Sequence, residues 1–397
     1  MNAPEVILER NPHPVRRVLP DRPPDRSPLG FHRALPGYAP TPLRRAPLLA
    51  AELGVGELWL KDESWRLGLP AFKIAGAAWA VSRALQGHLG VEVDPAGGLD
   101  ALRAAVGRQR PTLMAATDGN HGRAVARMAK LLGLPARIFV PDDMVAARRA
   151  AIAGEGAEVV EVAGSYDEAV ARSAREADDA HIVVSDTSWP GYEDVPRAVI
   201  DGYSTLMWEV DDALRANGAA DPDLVLVQVG VGALAAAVTR HYRRPGLAKP
   251  PTIVAIEPTR AACVLASIRA GEPVSIPGPQ DSIMAGLNCG TPSPLAWPTM
   301  VEGIDFFCAI DDEVARDGMR DIAREGVAAG ECSGGAIGAA RALLHEPHRR
   351  SLGVSSDASV LVLLTEGATD PAGYEAVVGR SPEDVTSGSA PGGDPAP

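Results

Sequence analysis

The chain has 397 residues, 46% of them hydrophobic and 22% charged, with a formal net charge of -13. Single cores stop growing near roughly 250–300 residues, so this length is expected to divide into two domains. The acidic balance argues against a nucleic-acid or anionic-membrane surface. No apolar run reaches the ~20 residues of a spanning helix, and the N-terminus lacks a basic segment followed by an apolar one, so a cytoplasmic protein acting on small molecules is expected. Cys263, Cys289, Cys308 and Cys332 are far apart in the chain and form no Cys-x-x-Cys pair. No His-Glu-x-x-His pattern occurs either, so no metal site is expected.

In chain order, residues 1–38 are rich in Pro and Arg without apolar periodicity, and read as an extended arm with little structure of its own, of the kind that lies across a neighbouring subunit. Apolar strand-like runs follow at 57–61, 113–116, 136–140, 159–162, 182–185, 224–229, 253–257 and 360–365, alternating with helical patterns. Such alternation predicts parallel sheet with crossover helices, in more strands than one small domain holds. Residues 381–397 offer almost nothing to bury and read as a disordered tail.

Four stretches carry candidate chemistry. After the run at 57–61 comes a loop with Gly68 and Pro70, then a helix whose Ile74, Ala77, Ala78, Val81 and Leu85 recur at helical spacing. Lys73 stands in its first turn beside Phe72, at the end of a helix that disfavours a cation. A lysine among apolar neighbours there is expected to be a readily neutralised amine, as Schiff-base chemistry requires. Read alone, it is more simply a lysine that snorkels to water, and the balance shifts only when other parts of such a site occur downstream. Thr117-Asp118-Gly119-Asn120-His121-Gly122 follows a strand and opens a helix, which fits a ligand-binding turn or a simple cap. Gly230-Val231-Gly232-Ala233-Leu234 joins a strand to an Ala-rich helix; free amides and the positive dipole end make it an anion site, though tight turns also need glycine. It lacks the ending of a nucleotide P-loop and is not a Gly-x-Gly-x-x-Gly, so a single phosphate monoester suits it better. Thr365 ends the last strand, where it can face a ligand at the sheet's carboxyl edge or cap the next turn.

Together these pieces resemble the fold-type II pyridoxal phosphate enzymes, the family of tryptophan synthase β chains and serine or threonine dehydratases. The resemblance covers most of residues 40–375. It rests on Lys61-Asp62-Glu63-Ser64 with Gly68-Leu69-Pro70-Ala71-Phe72-Lys73, on residues 116–123, on Asp186-Thr187-Ser188-Trp189-Pro190-Gly191-Tyr192, and on 201–205, 230–233, 283–290 and 365–370. It implies an α/β fold of two open, twisted parallel-sheet domains, tryptophan synthase β-like, with 39–85 and 206–380 in a large cofactor domain and 86–205 in a small inserted one.

The cofactor implied is pyridoxal 5'-phosphate, bound covalently by Lys73 and packed by Phe72. Gly230, Val231, Gly232, Ala233 and Leu234 would hold its phosphate, Asn120 its 3-hydroxyl, and Thr365 or the backbone beside it its pyridine nitrogen. Asp118 stands where dehydratases usually carry a small hydroxyl residue. A carboxylate there can pair with a β-ammonium or act as base on the face opposite Lys73. More narrowly, the same stretches resemble lyases that remove ammonia from 2,3-diaminopropionate, and the resemblance implies use of its D and/or L form. Asp186 would be a second anion near the amino groups. A serine or threonine dehydratase-like or β-replacement activity of the same fold is the alternative. The resemblance also implies a homodimer. Cys263 and Cys289 fall in matched segments; a cytoplasmic location makes free thiols the default, with a disulfide between the two as the alternative.

Overall fold

The computed structural model describes residues 5–13, 15–19, 23–117 and 119–388, so Asp118 lies outside the described residues. Within these, the strands are β1 (Val6–Arg10), β2 (Leu43–Arg45), β3 (Glu57–Asp62), β4 (Thr112–Ala116), β5 (Ala136–Pro141), β6 (Glu158–Val162), β7 (His181–Val183), β8 (Leu224–Gln228), β9 (Thr252–Pro258), β10 (Phe306–Ile310) and β11 (Ser359–Leu364). They form a seven-stranded sheet in the order β1-β10-β9-β8-β11-β3-β2 and a four-stranded sheet in the order β6-β5-β4-β7. All eight apolar runs read from the sequence became strands. β8 and β11 are buried along their whole length, as continuous apolar strands are when helices cover both sheet faces. The smaller sheet is parallel throughout. The larger one departs from the all-parallel expectation at its edges, where β1 on β10 and β2 on β3 run antiparallel.

The arm is more ordered than its composition implied. Its β1 pairs Val6 with Ile310 through Arg10 with Phe306, so it lies on this chain's own sheet. Further on, the helix Ser27–Arg33 buries Leu29 and Phe31, with Phe31 edge-on to Trp79 at 5.7 Å. Pro28 is compatible because it occupies the first turn, where no intrahelical N–H bond is lost. Similarly, Ser381 caps a short helix, Pro382–Ser387, through its Oγ and the Asp384 amide, and Val385 is buried. The expected disorder is therefore displaced beyond this helix, and residues 389–397 lie outside the described residues.

The helices Lys73–Leu89 and Asp194–Ala216 link the two sheets, and the expected domain boundaries at 85/86 and 205/206 fall inside them. Their close approach depends on two glycines. A Cβ on Gly76 would sit 2.4 Å from the Tyr203 ring, and one on Gly202 2.5 Å from the Ala75 carbonyl oxygen. With both absent, the rings of Phe72 and Tyr203 meet at 4.8 Å directly beside Lys73.

Beneath the loop between β3 and Lys73 lies a buried ionic cluster. Arg66 donates to both oxygens of Glu63, to both of Glu209 and to the Thr41 hydroxyl, while Lys61 donates to Glu209 Oε2 at 2.6 Å and to the Thr41 carbonyl at 2.9 Å. Burial alone would raise the Glu209 carboxyl, but the charges of Arg66 and then Lys61 outweigh it and lower it to about 2.

Candidate active site

Lys73, Asn120, Asp186, the loop 230–232 and Thr365 all lie just beyond the carboxyl ends of parallel strands: β3, β4, β7, β8 and β11 respectively. Open α/β sheets bind ligands at this edge. Two backbone bonds pin the loop before Lys73 to the end of β11: Phe72 N to Thr365 O at 3.1 Å, and Gly367 N to Pro70 O at 3.0 Å. Lys73 is thereby the first residue of its helix, over a cavity between the two sheets' strand ends. Phe72, Lys73, Asn120, Asp186, Gly230 to Leu234 and Thr365, all singled out from the sequence, line this one cavity. The expected role of Asp118 falls outside the described residues.

The apolar surroundings expected for Lys73 are only half of what it meets. Phe72 lies beside it, but Nζ is 2.6 Å from Asp186 Oδ2, an ion pair that favours the charged amine. Burial raises the Asp186 carboxyl, and the charge of Lys73 followed by that of His121 more than offsets this, so its pKa is lowered well below the usual range. The other oxygen, Oδ1, accepts from the Tyr166 hydroxyl at 2.9 Å. Tyr192 steadies the Asp186 segment by accepting from the Ser185 amide and donating to the Val183 carbonyl. His121 Nε2 lies 2.8 Å from the Val184 carbonyl, which can only accept, so that nitrogen bears a proton, and Nδ1 is turned toward Asp186, 4.0 Å away.

The loop after β8 is shaped for an anion. Gly232 has φ +104, a left-handed conformation that a side chain rarely adopts, and an added Cβ would lie 2.6 Å from Met300 Cε. The helix Ala233–Tyr242 starts immediately after it, and its first amides have no partner within the helix. At the cavity's other end, Thr365 is buried and its Oγ1 has no hydrogen-bond partner. A buried hydroxyl left in that state is rare enough to need an explanation. An aromatic nitrogen of a bound ligand supplies one. With an amine at the wall, an anion loop and a waiting hydroxyl, these residues fit pyridoxal phosphate.

Several lining residues had no role expected from the sequence, although Tyr203, Leu287 and Glu366 lie in the matched stretches: Tyr166, Tyr203, Gln228, Leu287, Cys332 and Glu366. Tyr166 opens a helix behind a Ser165/Glu168 capping box, a readable local signal that marks the helix start and not the direction of the phenol. All four cysteines are buried free thiols. No metal-holding group of His, Cys, Asp or Glu occurs among the described residues.

Comparison with known proteins agrees with this class of site. The family model described as "Pyridoxal-phosphate dependent enzyme" matches residues 34–366. The chain is 35% identical over 371 residues to the diaminopropionate ammonia-lyase of Salmonella typhimurium, covering 89% of this chain and 92% of that protein. Its fold superposes on the crystal structure of the Escherichia coli diaminopropionate ammonia-lyase in complex with D-serine with a TM-score of 0.86 and 32% identity, covering 95% and 97% of the two chains. The same enzyme with an aminoacrylate-PLP azomethine reaction intermediate superposes with a TM-score of 0.84, at the same identity and coverage. The chain therefore belongs to the fold-type II pyridoxal phosphate-dependent enzymes and, within them, to the diaminopropionate ammonia-lyase family.

Proposed function

We propose that this chain removes ammonia from 2,3-diaminopropionate with pyridoxal 5'-phosphate as cofactor, leaving pyruvate and a second ammonia. The observation that carries the substrate choice is the 2.6 Å pair between Lys73 Nζ and Asp186. Asp186 already holds one ammonium, and when the substrate's α-amine displaces Lys73 the same carboxylate is free to take the β-ammonium. A β-hydroxyl offers it no charge to pair with.

Gly230 to Leu234 would hold the phosphate, Asn120 the ring oxygen and Thr365 the ring nitrogen, with Phe72 packed beside Lys73. Bound there, pyridoxal phosphate supplies an electron sink that stabilises negative charge at Cα. A neutral hydroxyl at the ring nitrogen makes that sink weaker than a carboxylate partner would, which favours prompt loss of the β-group. Lys73, once displaced, takes the Cα proton of the L-form on its Nζ, and Asp118 serves the D-form from the opposite face. The Cβ–N bond breaks with its electron pair leaving on ammonia, and the freed enamine hydrolyses to pyruvate and ammonia. Tyr166 keeps Asp186 turned toward the substrate throughout.

The test is release of pyruvate and ammonia from D- and L-diaminopropionate beside serine and threonine. Diaminopropionate should be the preferred substrate, and the preference should shrink in Asp186→Asn. Preferred turnover of a hydroxyamino acid would overturn the reading in favour of a dehydratase. Among the described residues no helix is long and apolar enough to cross a membrane. We further place the enzyme in the cytoplasm as a homodimer. Four reduced thiols suit the first, and the exposed Leu48 and Trp65 offer apolar surface for the second. Light scattering on the purified chain tests the dimer.

A further inference from the structure

Glu366, at the end of β11 and nine-tenths buried, has no part in the steps above, yet it lines the cavity and touches the residue proposed to hold the ring oxygen. Its Oε2 accepts from Asn120 Nδ2 at 2.8 Å, and its Oε1 accepts from the Cys332 amide at 3.2 Å. Both oxygens thus accept from fixed N–H groups. Its backbone is held as firmly: the amide donates to Ser333 Oγ, and the carbonyl accepts from Ser333 Oγ and from the Gly330 amide. The side chain is thus a fixed acceptor facing a residue 246 positions away, on a helix that packs against the other sheet.

An asparagine amide is nearly symmetric in shape but not in chemistry, with an N–H donor end and a carbonyl acceptor end. A carboxylate can only accept, so it admits the donor end alone and fixes which way the amide turns. We propose that Glu366 is a positioning residue: it locks the Asn120 amide so that its second Nδ2 hydrogen, and not its carbonyl, is presented to the oxygen on the cofactor ring. The ring oxygen then always meets a donor, which favours its ionised form. This rests on the reading that Asn120 contacts that oxygen, and the test separates the two.

The experiment compares Glu366→Gln, Asn120→Ala and the double variant by three measurements: the absorption spectrum of the bound cofactor across pH, cofactor affinity, and the melting temperature of the cofactor-free protein. Glutamine has the same shape, can still accept from the Cys332 amide, and turns a donor toward Asn120, which forces the amide to reverse. Glu366→Gln should shift the balance of absorption bands in the same direction as Asn120→Ala and weaken cofactor binding about tenfold, the scale of one charge-assisted hydrogen bond. The double variant should be no worse than Asn120→Ala, and cofactor-free melting should be unchanged in Glu366→Gln. Glu366→Asp, which keeps an acceptor-only group, should restore the spectrum in part.

A wild-type spectrum and affinity in Glu366→Gln, with both altered in Asn120→Ala, overturns the positioning role alone. Unchanged spectra in Asn120→Ala overturn the contact itself and the positioning role with it. A spectral change accompanied by an equal loss of cofactor-free melting temperature in Glu366→Gln marks a structural tie between the sheets, and also overturns the proposal.

Discussion

Around Arg66, two cations and two carboxylates are closed off from water, and each nitrogen of the guanidinium has a partner. Around Lys73, one cation and one carboxylate face a cavity. Both are buried ion pairs contributed by segments distant in sequence. The first has no capacity left for a ligand and can only hold the chain in place. The second is a pair that a ligand can part, because an incoming ammonium replaces the one that leaves. Burial makes both strong; only access to a cavity makes one of them chemical.

The contrast predicts a double dissociation between stability and turnover. Lys73→Ala should lower turnover of diaminopropionate by about 10³-fold or more, with no cofactor reducible onto the chain by borohydride, while the urea midpoint stays near that of the parent. Glu209→Ala should do the reverse. Leaving Arg66 and Lys61 buried without that partner should cost about 3–5 kcal/mol of unfolding free energy, with turnover per folded, cofactor-loaded molecule preserved. Loss of catalysis at full stability in Glu209→Ala would erase the distinction drawn here.

Asp186→Asn should reduce diaminopropionate turnover by about 10²-fold and serine turnover by less, measured as pyruvate release. Gly232→Ala sharpens the comparison at the anion loop: about 1–3 kcal/mol of backbone strain should appear mainly as a raised cofactor dissociation constant. The smallest effect concerns Glu331, beside Glu366. Burial first, then the charge of Glu366, raises its carboxyl from 4.5 to about 7, and Oε2 has no partner. A carboxyl raised on folding binds more protons in the native state, so its contribution is complete below pH 4.5 and is lost as pH rises toward about 7. Unfolding free energy measured across that window should fall with pH, and should fall less in Glu331→Gln.

The chemistry was legible where one short motif at a strand end carries it. Asn120, the glycines at 230 and 232, and Thr365 each sit within a few residues of a buried apolar run, and Lys73 opens the helix that follows one across a short loop, so strand-reading led to them. Partners that arrive from elsewhere were not legible. Nothing local to Glu209, midway along the helix Asp194–Ala216, says that it meets Arg66, nor does any pattern around Tyr166 show its phenol reaching Asp186. β10 left a signal that went unread, five apolar residues between Asp305 and Asp311. Prolines and arginines obscured the arm, whose order comes from what Phe31 and β1 pack against rather than from local preference.

Both outer strands of the larger sheet are short, antiparallel to their neighbours and charged: β1 ends in Glu9 and Arg10, and β2 in Arg44 and Arg45. Strands of this kind discourage another chain from adding to the row of exposed amides and carbonyls. Any association between copies is therefore directed onto helices and loops. Trimming the first ten residues would uncover β10 as a fully apolar rim, turning a segment with no part in the reaction into the guard against aggregation.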